Sequence, residues 1–129
     1  MTTQGRRVIV ADDEMMMRQV LKVILTEGGF EIVAEATNGL EVISKCQQLK
    51  PDLLCLDINM PKKNGIEALQ ELRESLPNLQ VVMISGDAST DKVKEAISLG
   101  ARGFILKPFN AQQVLTRLVQ LFGEAPKQN

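Results

Sequence analysis

The sequence contains no histidine, no tryptophan and no tyrosine, and only four phenylalanines. Without histidine there is no imidazole to act as a general base in a Ser-His-Asp arrangement, or to ligate zinc or haem. With so few aromatic rings, stacking on nucleic-acid bases or sugars is poorly supplied. Cysteine is scarce as well. Cys46 and Cys55 form neither a C-x-x-C pair nor a zinc-finger spacing; Cys46 sits on the apolar side of a helical pattern and Cys55 inside a strand-like apolar run. They read as buried thiols of a reducing compartment, the cytosol. An excess of one charge is also missing: 15 Lys+Arg stand against 16 Asp+Glu. Such a balance argues against direct nucleic-acid binding. No apolar run exceeds four residues, too short for a membrane span or a signal-peptide core. Any chemistry must come from carboxylates, lysines, hydroxyls or the backbone.

What is present is the composition of one folded domain. The chain has 129 residues, 44% hydrophobic and 24% charged, which predicts a single domain over 1–129 with its core at about 7–122. Short β-branched-rich runs occur at 8–11, 32–36, 53–56, 81–84 and 104–106, the pattern of strands buried on both faces. Amphipathic helical patterns lie between them. The first carries Met17, Val20, Leu21, Ile24 and Leu25 and stops at Gly28-Gly29. The second opens at Asn38-Gly39 and ends before Pro51; the third holds Ile66, Leu69 and Leu72 and stops near Pro77. The fourth is capped by Ser89 or Thr90 and ends at Gly100; the fifth is capped by Asn110 and ends at Gly123. The tails, 1–5 and 124–129, are short and polar and are expected to fray. Seven residues follow Phe122, too few for a further domain, so a stand-alone module is expected. Strand–helix alternation five times over predicts an α/β fold, a parallel sheet with helices on both faces.

In such a sheet, function gathers beyond the carboxyl ends of the strands. The first strand ends in Asp12-Asp13-Glu14, the third in Asp57, the fourth in Ser85-Gly86-Asp87 and the fifth in Lys107-Pro108. The second offers no charge beyond Glu35. Asp57 is the most informative, because a carboxylate ending a buried apolar strand is costly unless paired or metal-bound. Lys107 is a candidate partner. Asp12, Asp13 and Asp57 together need more positive charge than one lysine brings, and an oxygen-only donor set suits Mg²⁺. Each residue alone has an ordinary explanation: the acidic pair as a helix start, Ser85 as a turn residue, Lys107 as a surface charge. Met17 reads as core, and Met15 and Met16 as the rim.

The ordered set resembles the receiver domain of bacterial two-component response regulators, of the stand-alone, CheY-like chemotaxis type. It is carried by Asp12-Asp13, by Asp57 with Asn59-Met60-Pro61 and Gly65, by Ser85-Gly86 and by Lys107-Pro108, and covers the chain from Arg7 to about Phe122. The resemblance implies a flavodoxin-like doubly wound (βα)5 fold of strand order 2-1-3-4-5. It implies that Asp57 takes a phosphoryl group from the phosphohistidine of a histidine kinase or phosphotransfer protein. Asp13, Asp57 and the Asn59 carbonyl then bind Mg²⁺, with Asp12 acting largely through water. Ser85 donates to a phosphoryl oxygen, Lys107 pairs first with Asp57 and then with the phosphoryl group, and the Lys107-Pro108 bond is often cis in such proteins. Phe104 becomes the aromatic switch residue, where many members carry Tyr. Lys92, Arg102, Phe104 and Gln113 are candidate partner contacts. Asn59 and Asp87, each two positions past a reacting residue, are candidates for tuning phosphoryl turnover.

The output is expected to be binding to another protein, possibly the flagellar motor switch, by a cytoplasmic monomer or phosphorylation-dependent dimer. A phosphorelay intermediate, or a receiver excised from a longer regulator with a DNA-binding or enzymatic output, fits the same residues, and so does a degenerate scaffold receiver, although every acceptor residue is present. A haloacid-dehalogenase-like phosphatase wants a second Asp where Asn59 stands. A flavodoxin wants a phosphate-cradling loop where Asp12-Asp13-Glu14 would repel phosphate.

Overall fold

A computed structural model describes residues 4–87 and 89–122. Five strands alternate with five helices: β1 (Arg7–Ala11), α1 (Met15–Glu27), β2 (Glu31–Ala36), α2 (Gly39–Leu49), β3 (Leu53–Leu56), α3 (Gly65–Ser75), β4 (Gln80–Ser85), α4 (Thr90–Ser98), β5 (Gly103–Leu106) and α5 (Ala111–Leu121). All strands are parallel, in the order β2-β1-β3-β4-β5. That is the flavodoxin-like arrangement, with the strand order reversing beside β1.

Period-two alternation sorts the strand side chains into two cores. Ile9, Ala11, Leu54, Leu56, Val81 and Met83 face a core shared with Val42, Leu69 and Ala96 of α2, α3 and α4. Val8, Val10, Leu53, Cys55, Val82 and Ile84 face one shared with Leu21, Leu25, Val114 and Leu118 of α1 and α5. Cys46 and Cys55 belong to opposite cores, and burial pushes both thiols up to about 12. They are inert packing groups.

The expectation of strands buried on both faces holds for β1, β3 and β4 but fails at the edges. Every residue of β3 is buried, whereas β2 is mostly half-buried and Leu106 of β5 is 52% exposed. An edge strand lacks a neighbour on one side, and the helices cover it less fully. Two residues of the expected α1 stripe also turn out differently. Leu21, Ile24 and Leu25 are buried, but Val20 faces outward and Met17 is only half-buried. Val20 shares an outward helix face with Met16 and Val23, which are 69% and 57% exposed.

The helix ends follow local chemistry. Asn38, Asn64, Ser89 and Asn110 accept backbone N–H groups at the starts of α2 to α5, and Asn64–Glu67 and Asn110–Gln113 form reciprocal capping boxes. Gly29 and Gly100 take left-handed φ of 94° and 92° after α1 and α4. Lys50 does the same after α2, although it carries a side chain. The stop expected at Gly123 and the C-terminal tail lie outside the described residues. The expected N-terminal fraying does not reach Gly5, whose N–H donates to the Gly29 carbonyl at 2.8 Å.

Candidate functional site

The carboxyl ends of β1, β3, β4 and β5 converge on one shallow cleft. Asp57 follows β3, the central strand, and its N–H donates to the Ala11 carbonyl at 3.0 Å, which ties it to the end of β1. Asp12 and Asp57 are 1% and 5% exposed, while Asp13 is exposed. One carboxylate oxygen from each of the three lies within 4.8 Å of the others. Asp13, Glu14, Asp57, Asn59, Gly86 and Lys107 line a cleft of about 330 Å³ above them. Two clefts of about 620 and 630 Å³ lie elsewhere, one at the opposite end of the sheet and one along β5 and α5, and neither gathers these carboxylates.

Lys107 is the cation of the site. Its Nζ lies 2.7 Å from Asp12 Oδ2, 3.3 Å from Asp57 Oδ2 and 3.4 Å from Glu14 Oε1. The expected pairing with Asp57 is present, but the shorter contact is to Asp12. Both carboxylates are buried, and the one ammonium spans them. The Lys107-Pro108 peptide is cis, and the Lys107 N–H donates to the Ser85 carbonyl at 3.0 Å.

The electrostatics are unbalanced. Burial, followed by the neighbouring Asp12 carboxylate, pushes the Asp57 carboxyl above its usual range, against the pull of Lys107 and of the Ser85 hydroxyl. Burial alone would lower Lys107, but the Asp12 hydrogen bond and the charges of Asp57 and Asp12 outweigh it and hold the ammonium above its usual value. Asp12, Asp57 and, at the rim, Glu14 share one ammonium, and Asp13 beside them is paired with none among the described residues. An all-oxygen donor set with a negative surplus fits a hard divalent cation.

Two loops shape the cleft. A Cβ on Gly65 would stand 2.1 Å from the Asp57 carbonyl oxygen, and one on Gly39 2.1 Å from that of Lys63. Only glycine lets the starts of α2 and α3 close on the loop that follows Asp57. The Asn59 N–H faces Asp57 Oδ1 at 3.4 Å, and the Asp87 N–H donates to Ser85 Oγ at 3.2 Å.

The remaining candidates are dispersed. Phe104 is half-buried against the core shared with α3 and α4. Gln113 uses its side-chain oxygen to accept the Asn110 N–H at 3.0 Å. The Lys92 N–H lies within the Ser89 cap. Arg102 lies at the far end of β5 from Lys107, where its Nη1 donates to Gln80 Oε1 at 3.2 Å. Reading strand ends gave Glu14 no role, and it overlooked Arg18, whose Nη1 donates to the Asp12 carbonyl at 2.9 Å. The available signal was its position one helical turn after Glu14.

Comparison with known proteins agrees with this geometry. The response regulator receiver domain profile matches residues 8–119. The chemotaxis protein CheY of Thermotoga maritima is 43% identical over 114 residues, covering 88% of this chain and 95% of the relative. CheY of Bacillus subtilis is 41% identical over 111 residues, covering 86% and 92%. Among solved structures, the CheX–CheY–BeF3–Mg²⁺ complex from Borrelia burgdorferi matches with a TM-score of 0.90 at 33% identity, covering 94% of this chain and 92% of that one. With the β2-β1-β3-β4-β5 sheet and its convergent acidic end, these matches establish that the chain belongs to the response regulator receiver domain family and is closely related to the CheY chemotaxis proteins.

Proposed function

We propose that Asp57 is the phosphoacceptor, taking its phosphoryl group from a phosphohistidine on a histidine kinase or phosphotransfer protein. The observation that carries this reading is a carboxylate buried at the end of the central strand, facing both Lys107 and two further carboxylates. An Asp57 oxygen forms the new P–O bond as the P–N bond to the donor imidazole breaks, and the electron pair returns to the ring nitrogen. Lys107 compensates charge on the phosphoryl oxygens, and the Ser85 hydroxyl donates to one of them. Asp13, Asp57 and the Asn59 carbonyl would hold Mg²⁺, with Asp12 beside them; an ion bound there would supply positive charge to offset that of the phosphoryl oxygens. Asn59 and Asp87 flank the path of the water that later releases phosphate.

The added charge, roughly −1.5 to −2, draws Ser85 and Lys107 toward the phosphoryl group. Phe104 then turns inward, and the surface of α4, β5 and α5 changes shape for a protein target. The relatives, which are chemotaxis proteins, favour chemotaxis signalling over a relay step; the proposed setting is the cytoplasm and the proposed target the flagellar motor switch. Lys92 and Gln113 border that surface. Arg102 flanks it from the far end. The fold acts as a single receiver domain, monomeric or dimerising on phosphorylation.

The test is incubation with acetyl phosphate and Mg²⁺ followed by intact-mass measurement. The protein is expected to gain one phosphoryl group, and Asp57→Ala none. An undiminished gain in Asp57→Ala sinks the acceptor assignment.

A further inference from the structure

β2 delivers no side chain to the cleft, yet it grips the acidic turn from behind. The Asp12 N–H donates to the Ala36 carbonyl of β2 at 3.0 Å. The Asp12 carbonyl accepts from Arg18 Nη1 at 2.9 Å, and the Nε of the same guanidinium donates to Glu35 Oε1, also at 2.9 Å. Glu35 cannot swing away, because its second oxygen pairs with Lys22 Nζ at 2.6 Å. Arg18 is mostly buried, its side chain 13% exposed.

The bonded carbonyl belongs to the peptide unit that joins Asp12 to Asp13. A peptide is planar, so fixing its carbonyl fixes the direction in which the Asp13 backbone leaves. Asp13 needs that help. It is exposed, and among the described residues no hydrogen bond or ion pair holds its carboxylate. Asp12, by contrast, is held by Lys107 and by the Glu14 N–H.

We propose that Arg18, held by Glu35, is a positioning residue for the metal site: it sets the plane of the Asp12–Asp13 peptide and thereby aims Asp13 at the cation. The inference rests on the Mg²⁺ reading given above. Its consequence runs against simple electrostatics. Arg18 is a positive charge near a cation site, so by Coulomb's law its removal should tighten Mg²⁺ binding. If the guanidinium instead aims a ligand, its removal weakens binding. Lysine separates the two, because it keeps the charge but cannot reach Asp12 and Glu35 with a rigid fork.

The experiment is calorimetric titration of the full chain with MgCl₂, alongside the Mg²⁺-induced rise in unfolding midpoint. Wild type, Arg18→Met, Arg18→Lys and Glu35→Gln are compared. Arg18→Met and Arg18→Lys should each weaken Mg²⁺ about tenfold, the lower end for residues that support a ligand indirectly. Glu35→Gln, at a side chain about a third exposed, should weaken it in the same direction by less. Tighter binding in Arg18→Met with Arg18→Lys unchanged would show a charge effect and overturn the proposal. Unchanged affinity in all three variants would overturn it too, as would unchanged affinity in Glu35→Gln should the Arg18 variants not fold. A wild-type protein that binds no Mg²⁺ would remove the metal reading itself, and the positioning role with it.

Discussion

The two ends of the sheet carry charge in opposite ways. At the amino end, Arg7 donates its Nη1 to the Leu49 and Lys50 carbonyls at 2.7 and 3.1 Å, and its N–H to Asp52 Oδ2 at 2.8 Å. Nearby, Arg73 reaches the Pro77 and Leu79 carbonyls at 2.8 and 2.9 Å. These cations close turns: backbone oxygens occupy Arg7 Nη1 and both Nη groups of Arg73, while Arg73 Nε is buried without a partner among the described residues. At the carboxyl end, Asp12, Asp57 and Glu14 gather around the ammonium of Lys107, and Asp13 stands beside Asp12 and Asp57 with no ion pair of its own among the described residues. The difference separates a structural charge from a functional one. The first has its partners within the fold. The second is left short of them, and the shortfall is what a cation and a phosphoryl group answer.

The sharpest way to break this contrast is Asp57→Asn. Phosphorylation should vanish in the intact-mass assay while the fold becomes more stable in urea. The sign follows from the raised carboxyl of Asp57. A carboxyl raised in the folded state makes stability fall as pH climbs from its ordinary value through the folded one, so above the folded value the fold carries the full cost, about 1.4 kcal/mol per pKa unit. A destabilised Asp57→Asn would mean that the carboxylate supports the fold after all.

Saturating Mg²⁺ should stabilise the wild type, by about 2.7 kcal/mol at a hundredfold excess over its dissociation constant. Urea unfolding with and without the ion measures this, and Asp13→Ala should lose most of the gain. At the other end, Arg7→Met leaves two carbonyls short of a donor and should cost about 2 kcal/mol, with phosphorylation by acetyl phosphate unaltered. Slowed phosphorylation there would show that the two ends are coupled.

The smallest effect belongs to Glu35, whose carboxyl is held below its usual range chiefly by the Lys22 hydrogen bond, with Arg18 adding to it. Its contribution is present above its ordinary value and lost as pH falls through the lowered one. Because its side chain is about a third exposed, solvent screening limits it to about 0.5 kcal/mol. Acid unfolding curves should show a slightly shallower limb for Glu35→Gln, the reverse of the Asp57 trend.

Much of the site was legible because strand ends are local features. Leu53-Leu54-Cys55-Leu56 marks a buried strand, and whatever follows it must stand at the sheet's edge. Asp57 and Lys107 could therefore be placed without coordinates. The Asn110 cap was equally visible. The Asn64–Glu67 capping box, an Asn three residues before a Glu, carries the same local signal. Arg18 and Glu35 were harder: they lie on a helix and a strand with no shared spacing, and only the packing of α1 against β2 brings them together. The exposure of Val20 and Leu106 escaped for a related reason, since apolar periodicity reports which face a residue takes and not how much structure lies above it.

Sequence alone determined the alternation of strands and helices, the absence of imidazole chemistry and the carboxylates and lysine that end the strands, because these follow from residue type and short-range period. Tertiary structure decided how charge is shared among them. That Lys107 leans toward Asp12, that Asp57 is left under-compensated and that Arg18 grips the Asp12 carbonyl all depend on distances of a few ångströms between elements far apart in the chain, and electrostatic energy in a partly buried site is set by those distances.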